Sequence, residues 1–503
     1  MGGMKSELRA SILILLSSTF ATGAGSLVAA QESAEPADVA RPTDATVSAE
    51  ITAAELMAHV KALAADGLAG RPMGSPESLE AAEICAASLQ LAGLRPGAED
   101  GSFLQRITFE RVVHEGVPEL TCTLADGSEQ VLYNGEQFTF TLAGGHEDTD
   151  ALRCVTVAEE SELPAEADAG VALVLNTSAG KARRWLRNAG HGRGEGFGAV
   201  VVPRRGKVGE RSTPRPSRTR LAGGDRGALN VSLKGPIAEA AGRGELRTIS
   251  LRPRARLEIT EDANVVAVLP GTEGHPMGEE ILVLSAHRDH IGLAQPRRGS
   301  SGGGAEEEPV DLVNNGADDD ASGCAAVMEI AEAMARSSAE GPRRTVVVVL
   351  VTGEEAGMIG SKHWVAHPTV DISKVVCALN FEMLGRPDEM VGGAGQIWLT
   401  GDDRSDLGPH LRDACGIAVS ADPRLEMNFF VRSDNVSFAR AGIVSQTLSS
   451  FGGHGDYHRV TDEWQTLDYA HMETAVRACF EATRVLATSE WTPSWNEGEP
   501  RLR

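Results

Sequence analysis

The run Thr345–Val351 is one threonine followed by six Val or Leu residues, and no polar side chain interrupts it before Thr352. A segment this short and this apolar has no face to turn to water. It reads as a strand buried on both sides, as in a mostly parallel sheet covered by helices on both faces. It runs straight into Thr352-Gly353-Glu354-Glu355-Ala356-Gly357. Buried strands seldom end in two adjacent acids unless those acids have a partner, because an unpaired charge is expensive away from water.

The arrangement recurs. Val265–Leu269, Ile281–Ala286, Val375–Phe381, Gln396–Thr400 and Ile443–Leu448 are further short apolar or β-branched runs. Amphipathic helical patterns occupy Ala321–Ala335, with Val327, Ile330, Ala331 and Met334 on one face, and Tyr469–Thr488. Strands alternating with helices predict an α/β fold with a mixed, mostly parallel central sheet and helices on both faces. Ligands in such folds bind beyond the carboxyl ends of the strands. Three motifs fall there: Ser285-Ala286-His287-Arg288-Asp289-His290, Gly316-Ala317-Asp318-Asp319-Asp320-Ala321-Ser322-Gly323, and the Glu354-Glu355 turn.

At 503 residues the chain exceeds one ordinary core, so two or three domains are expected. Residues 1–30 read as a signal peptide. Lys5 and Arg9 precede the apolar Ile12–Leu16 core, and Val28-Ala29-Ala30 suits cleavage before Gln31. The apolar run is too short to span a bilayer, so the expectation is an exported chain, periplasmic or secreted, with no stable membrane insertion after signal removal. Residues 31–48, rich in Ala, Glu, Pro and Asp, read as a disordered spacer. Residues 49–116 read as the N-terminal helical part of the catalytic domain, opened by the capping box Thr52-Ala53-Ala54-Glu55 and by the helix Pro76–Ala92. Residues 117–257 read as a β-rich insert, 258–490 as the catalytic domain and 491–503 as a tail.

A net charge of −24 argues against nucleic acid as a partner. The insert nevertheless holds a basic stretch, with twelve Lys or Arg against two Glu between Lys181 and Arg220. A solvated surface is the simpler account of it, and a face for acidic partners the sharper one. The seven cysteines are widely spaced without a CxxC pair, which disfavours a cysteine zinc site. Cys122 and Cys154 could pair, while Cys324, Cys377 and Cys479 sit in apolar runs as buried thiols.

His287 and Asp289 directly follow a strand, where an imidazole can bind metal and a neighbouring acid can orient it. Capping the next helix would need one aspartate, not the three in Asp318-Asp319-Asp320. A carboxylate that bridges two cations relieves the repulsion among them. Glu382 ends another apolar run, and Tyr457-His458 supplies a last imidazole. Together these residues fit two divalent ions about 3.5–4 Å apart that share one carboxylate, with zinc favoured by the mix of His and carboxylate.

The order His287-x-Asp289, Gly316-x-x-Asp319-x-x-Ser322-Gly323, Glu354-Glu355-x-Gly357, Asn380-x-Glu382-Met383 and Tyr457-His458 resembles the bimetallic zinc aminopeptidases. This is the exported leucyl aminopeptidase and aminopeptidase Y type, related to glutamate carboxypeptidases, glutaminyl cyclases and transferrin receptors. The resemblance spans about Thr52 to Ala487, and the insert is similar to a protease-associated domain. It implies two zinc ions, one held by His287, Asp319 and Glu382 and the other by Asp319, Glu355 and His458, with Asp319 bridging. It further implies Glu354 as general base, Asp289 as the partner that orients His287, Tyr457 as the oxyanion donor and Arg432 as a contact to substrate. The chain departs from the family pattern at Glu382, where Asp is usual, at Asn435, where His is frequent, and at Asp320, where Asn is frequent. The loop Ala294–Val310 is also longer than usual.

The expected function is an exported zinc-dependent exopeptidase that removes N-terminal residues from peptide substrates by activated water. The same residues would also serve a carboxypeptidase or a glutaminyl cyclase. An inactive receptor or binding scaffold on this fold is the reading outside enzymology. It is disfavoured because every ligand position and the base are filled.

Overall fold

The structure is a computed structural model that describes residues 50–502 except 142–146, 193, 205, 214–219, 223–227, 295–310 and 338–340. The expected signal peptide and spacer, the loop beyond Ala294, and Arg193, Arg205, Arg215 and Arg218 of the basic stretch lie outside the described residues.

The chain enters through two capped helices. At α1 (Ala53–Leu63) the Thr52 hydroxyl accepts the Glu55 N–H at 3.3 Å. At α2 (Pro76–Leu91) the Ser75 hydroxyl accepts the Ser78 N–H at 3.0 Å, and Pro76 fills the first turn. The two-residue β1 (Arg95–Pro96) and the eleven-residue β2 (Leu104–His114) follow. The sequence reading treated this part as helical. β2 escaped it because the strand is amphipathic rather than apolar: Ile107, Phe109 and Val112 are buried, and Arg106, Thr108 and Arg111 between them are exposed.

β2 is the outbound half of a stalk. Between it and its partner the chain forms β3 (Glu119–Leu124), β4 (Glu129–Tyr133), β5 (Phe138–Thr141), β6 (Leu152–Val157), β7 (Val171–Leu175), α3 (Ala179–Asn188), β8 (Ala199–Pro203), β9 (Arg220–Leu221), β10 (Leu229–Leu233), α4 (Pro236–Gly242) and β11 (Leu246–Arg252). Except for β9, which pairs with β2, these strands form one sheet ordered β4-β3-β11-β6-β7-β8-β10-β5. Its centre, β6-β7-β8-β10, is parallel. Separate apolar clusters cover its two faces, one around Ile237 and Ala241 of α4 and the other around Trp185 and Leu186 of α3. Lys181, Arg183, Arg184 and Arg187 line the exposed side of α3.

The return limb, β12 (Ala255–Leu269), pairs antiparallel with β2 from Ala255↔His114 to Val265↔Leu104. It then enters the main sheet beside β14. The remaining elements are α5 (Pro276–Glu279), β13 (Ile281–His287), α6 (Gly323–Arg336), β14 (Thr345–Val351), α7 (Ile359–Ala366), β15 (Val375–Glu382), β16 (Ile397–Leu399), α8 (Leu407–Pro409), β17 (Val419–Ala421), α9 (Asn435–Arg440), β18 (Ser445–Ser449) and α10 (Tyr469–Thr488). The main sheet runs β17-β16-β18-β15-β13-β14-β12-β2-β9, with β1 beside β12. Its centre, β18-β15-β13-β14, is parallel, and antiparallel pairs flank it on both sides.

The apolar run of β14 divides by strand periodicity. Val346, Val348 and Leu350 join the cluster under α1, α2, α6 and α10, and Val347, Val349 and Val351 join Trp364 of α7 and Phe438 of α9 on the other face. Each such side chain contributes about 1.5–3 kcal/mol by leaving water, and a polar residue at any of them would be buried on whichever face it pointed to. All seven cysteines are free thiols, so Cys122 and Cys154 are not bridged. Among the described residues, no helix is long and apolar enough to cross a membrane.

Candidate metal centre

The parallel centre of the main sheet delivers side chains to one place. His287 is the last residue of β13 and Glu382 the last of β15, while Glu354 and Glu355 lie in the turn after β14. Asp319 lies in the irregular turn Ala317–Ser322 that opens α6, and the Asp319–Asp320 peptide is cis. His458 comes from the loop between β18 and α10.

Of the three adjacent aspartates, only Asp319 reaches the cluster. Asp320 is spent on backbone: one oxygen accepts the His287 N–H at 3.2 Å, and the other accepts the N–H groups of Gly323 and Met383, each at 3.0 Å. Asp318 accepts the Gly385 N–H at 2.8 Å and faces His454 Nε2 at 3.0 Å. Asp462 in turn accepts the N–H groups of Asp318 and Asp319. The flanking acids thus fix the turn that aims Asp319.

Asp319 presents one oxygen to each side. Oδ1 is 3.2 Å from His287 Nε2, and Oδ2 is 3.1 Å from His458 Nε2. Glu382 Oε1 lies 4.0 Å from His287 Nε2. Glu355 Oε1 lies 3.1 Å from His458 Nε2 and 2.9 Å from His290 Nδ1. Two groups therefore have their ligand atoms mutually within 4.8 Å, His287-Asp319-Glu382 and His290-Asp319-Glu355-His458. Five of these atoms, His287 Nε2, His290 Nδ1, Asp319 Oδ2, Glu355 Oε1 and His458 Nε2, are buried without a hydrogen-bond partner. They approach one another but do not align as donors and acceptors. Convergence of this kind suits a cation between them.

The electrostatics agree. Burial works to raise the Asp319 carboxyl, but its contacts to His287 and His458 carry it well below its ordinary value. Glu355 is likewise lowered, against burial, by His290 and His458. Burial raises Glu382 to about 7 against the pull of His287. Burial also raises Glu354 well above its ordinary value, reinforced, against the pull of His287, by the fields of Asp434, Glu382 and Glu355. Contacts to Asp319 and Glu355 raise His458 to about 10. Buried acids of unequal proton affinity crowded in one crevice mark a chemical site rather than a packing site.

Asp289 is buried, and burial raises its carboxyl to about 6. His287 Nδ1 lies 3.1 Å from the Asp289 carbonyl oxygen and 3.9 Å from its carboxylate, which instead accepts the Glu354 N–H at 3.1 Å. Tyr457 stacks on His458 with ring centroids 3.9 Å apart, and burial raises its phenol. Arg432 is exposed, with its guanidinium 5.2 Å over the Phe429 ring.

His290 was absent from the expected ligand set. Its signal was present, an imidazole three residues beyond His287, but a one-dimensional pattern of His-x-Asp ends before it. The intervening Arg288 points elsewhere, into a buried pair with Asp262. On either side of Arg288, His287 and His290 both face Asp319.

Residues 264–483 match the sequence model of Peptidase family M28. An aminopeptidase from Aneurinibacillus sp. strain AM-1 superposes with a TM-score of 0.50 at 18% identity, covering 88% of this chain and 95% of that one. The zinc aminopeptidase BSAP from Bacillus subtilis gives a TM-score of 0.47 at 15% identity, covering 88% and 97%. The matched segment contains every residue of both ligand groups together with Glu354, so residues 264–483 carry a Peptidase family M28 domain, that of a metallopeptidase.

Proposed function

We propose that the chain is a two-zinc aminopeptidase that acts on peptides after export. The observation that supports this most directly is the sharing of Asp319 between two groups of metal-ligand type, with the buried Glu354 beside them. Divalent ions held there would supply Lewis acidity to the scissile carbonyl and to the attacking water.

Protein side chains do the rest. Glu354, its proton affinity raised by burial and neighbouring acids, accepts the proton of the attacking water and hands it to the leaving amine. The Asp289 carboxylate holds the Glu354 backbone, and the Asp289 carbonyl turns His287 so that Nε2 faces Asp319. Tyr457 keeps its phenolic proton and can donate it to the developing oxyanion, a role typically worth about 3 kcal/mol. Glu382 and Glu354 are the candidate partners for a substrate's free α-amine, which would favour release of N-terminal residues. Arg432, the candidate contact to substrate, is exposed and lies over the Phe429 ring. Export rests on the charged, apolar and small-residue order of residues 1–30.

The test is hydrolysis of leucyl-alanine and of its N-acetylated form by the mature chain, with and without a chelator and with zinc restored. Cleavage of only the free-amine peptide, lost on chelation and recovered with zinc, is the expected result. Cleavage of the acetylated peptide alone would replace this reading with a carboxypeptidase. Conversion of glutamine-terminated peptides to pyroglutamate without hydrolysis would replace it with a cyclase.

A further inference from the structure

Neither the family pattern nor the mechanism above uses His290. It is 2% exposed, and neither ring nitrogen has a hydrogen-bond partner. A buried imidazole left in that condition is costly. Its Nδ1 is 2.9 Å from Glu355 Oε1 and 3.9 Å from Asp319 Oδ2, and its ring centroid is 5.5 Å from that of His458. Four N and O donors at about 2.0–2.1 Å from one tetrahedral ion stand about 3.3 Å from one another. The two carboxylates stand 2.9 and 3.9 Å from His290 and 3.1 Å each from His458, scattered about that value, and all four donors lie within 4.8 Å of one another.

The imidazole is also held in place. The His290 N–H donates to the Arg71 carbonyl at 3.2 Å. The Arg71 guanidinium, fully buried, donates to the carbonyls of Arg288, Asn315 and Gly316 and so ties the β13 loop to the Asp319 turn. Gly316, at φ +56°, lies so close that a Cβ there would come within 2.6 Å of the His290 ring. Only glycine lets that backbone pass behind the imidazole. A ring fixed from behind, with a bare nitrogen toward three ligand-type atoms, is arranged as a donor.

We propose that His290 is a fourth protein donor at the Asp319-Glu355-His458 position, and that the two metal positions are therefore unequal. The position with His290 is closed by protein ligands and holds its ion tightly. The His287-Asp319-Glu382 position has three protein donors, keeps a coordination place open and exchanges its ion. This division follows the general contrast between closed and open zinc sites. The inference rests on the two-metal reading proposed above.

The experiment is titration of the metal-free full chain with Zn²⁺ against a chromophoric chelator, for the wild type, His290→Ala and His290→Gln. Far-UV circular dichroism reports folding of each. The wild type should take two equivalents in two separated steps. Both variants should lose the tight step, its affinity falling by at least about 100-fold, beyond the 10–100-fold typical of an outer partner of a ligand. His287→Ala should spare the tight step and weaken the other. With Co²⁺, the first equivalent in the wild type should show the intense visible absorption of a four-coordinate site, and both His290 variants should lose it. Folded His290 variants that titrate as the wild type would overturn the inference and leave the two-metal reading standing. A wild type with two indistinguishable steps would overturn the inequality. A wild type that takes one equivalent would overturn the two-metal reading itself, and the inequality with it.

Discussion

Among the described residues the chain contains two sheets with parallel centres, and only one of them gathers buried ionisable groups at its strand ends. At the carboxyl ends of β13, β14 and β15 the chain places His287, Glu354, Glu355 and Glu382, with His290 and Asp319 pressed against them. At the carboxyl ends of β7, β8 and β10 in the insert it places Asn176, Ser178 and Arg204 around a cleft that Glu239 also lines. All four of these are exposed. The Asn176 amide donates to the Gly242 carbonyl at 3.1 Å, and the Ser178 hydroxyl caps α3. The topology makes a crevice in both sheets. Chemistry follows only where ionisable groups are buried and unmatched, as function resides in sites rather than in folds.

Replacing Glu354 tests that contrast most severely. Glu354→Gln keeps the shape of the side chain and removes its proton affinity. Turnover should fall by about 10²–10⁴-fold, the usual worth of a positioned base, with bound metal unchanged by elemental analysis. Near wild-type turnover would remove Glu354 from the mechanism and leave burial of acids without its assigned meaning.

The next largest effect should appear in stability. Arg288 is fully buried between His287 and Asp289 and pairs with Asp262, which also accepts the Gly74 N–H at 3.0 Å and the hydroxyls of Ser78 at 2.9 Å and Thr352 at 2.6 Å. Asp262→Asn strands the guanidinium and should cost about 3–5 kcal/mol, read as a lowered denaturation midpoint. Burial opposes ionisation of Asp262, but Arg288 and these donors hold its carboxyl below the ordinary 3.8. Such a depressed carboxyl stabilises fully above the unfolded value and loses that contribution as pH falls through the lower folded value. The gap between wild type and variant should therefore stay constant above about pH 4 and close in stronger acid. A gap that widened in acid would contradict the assignment.

These two residues also show what the sequence made legible. The strands β13, β14 and β15 could be read because burial on both faces leaves a nearly continuous apolar run, which needs no partner to be recognised. Glu354, Glu355 and Glu382 could be singled out because acids at the ends of such runs have few innocent explanations, and Asp319 because a helix cap needs one aspartate and not three. The pairing of Arg288 with Asp262 could not, since its partners are 26 residues apart and meet only across the sheet. β2 was hidden for a related reason. Its exposed charges find their mates on β12, as Arg111 does with Glu258 at 2.5 Å, and in one dimension they dilute the apolar alternation. His290 was hidden because the His-x-Asp spacing says nothing of the direction of the loop that follows it. Local composition reports burial, whereas the direction of a loop is a property of its distant contacts.

Metal removal sharpens the comparison at a smaller scale. Ions that bind only the folded chain stabilise it, by about 2.7 kcal/mol at a hundredfold excess over the dissociation constant. Stripping them returns the acids of the Asp319 cluster to mutual repulsion. The thermal midpoint should fall with a chelator and recover with zinc. Hydrogen exchange should quicken at residues 316–322, 353–357 and 453–459 while β6, β7 and β8 keep their protection. Equal loss of protection in the insert would mean that the two sheets answer to one site.

The smallest expected effect lies in the insert and is the sharpest on the difference between the two crevices. Ser178 is the N-cap of α3, its hydroxyl accepting the Lys181 N–H at 3.4 Å, and it borders the insert's cleft. If the cleft is only the end of a sheet, Ser178→Ala removes a cap and nothing else. The loss should be about 1 kcal/mol, confined to exchange of the first turn of α3, whose exposed basic residues offer the orphaned amides no substitute acceptor. The value of kcat/KM for leucyl-alanine should not change. A drop in kcat/KM with the fold intact would show that the cleft takes part in catalysis or delivery of substrate. The rule that chemistry follows buried, unmatched ionisable groups would then fail in the same molecule that illustrates it.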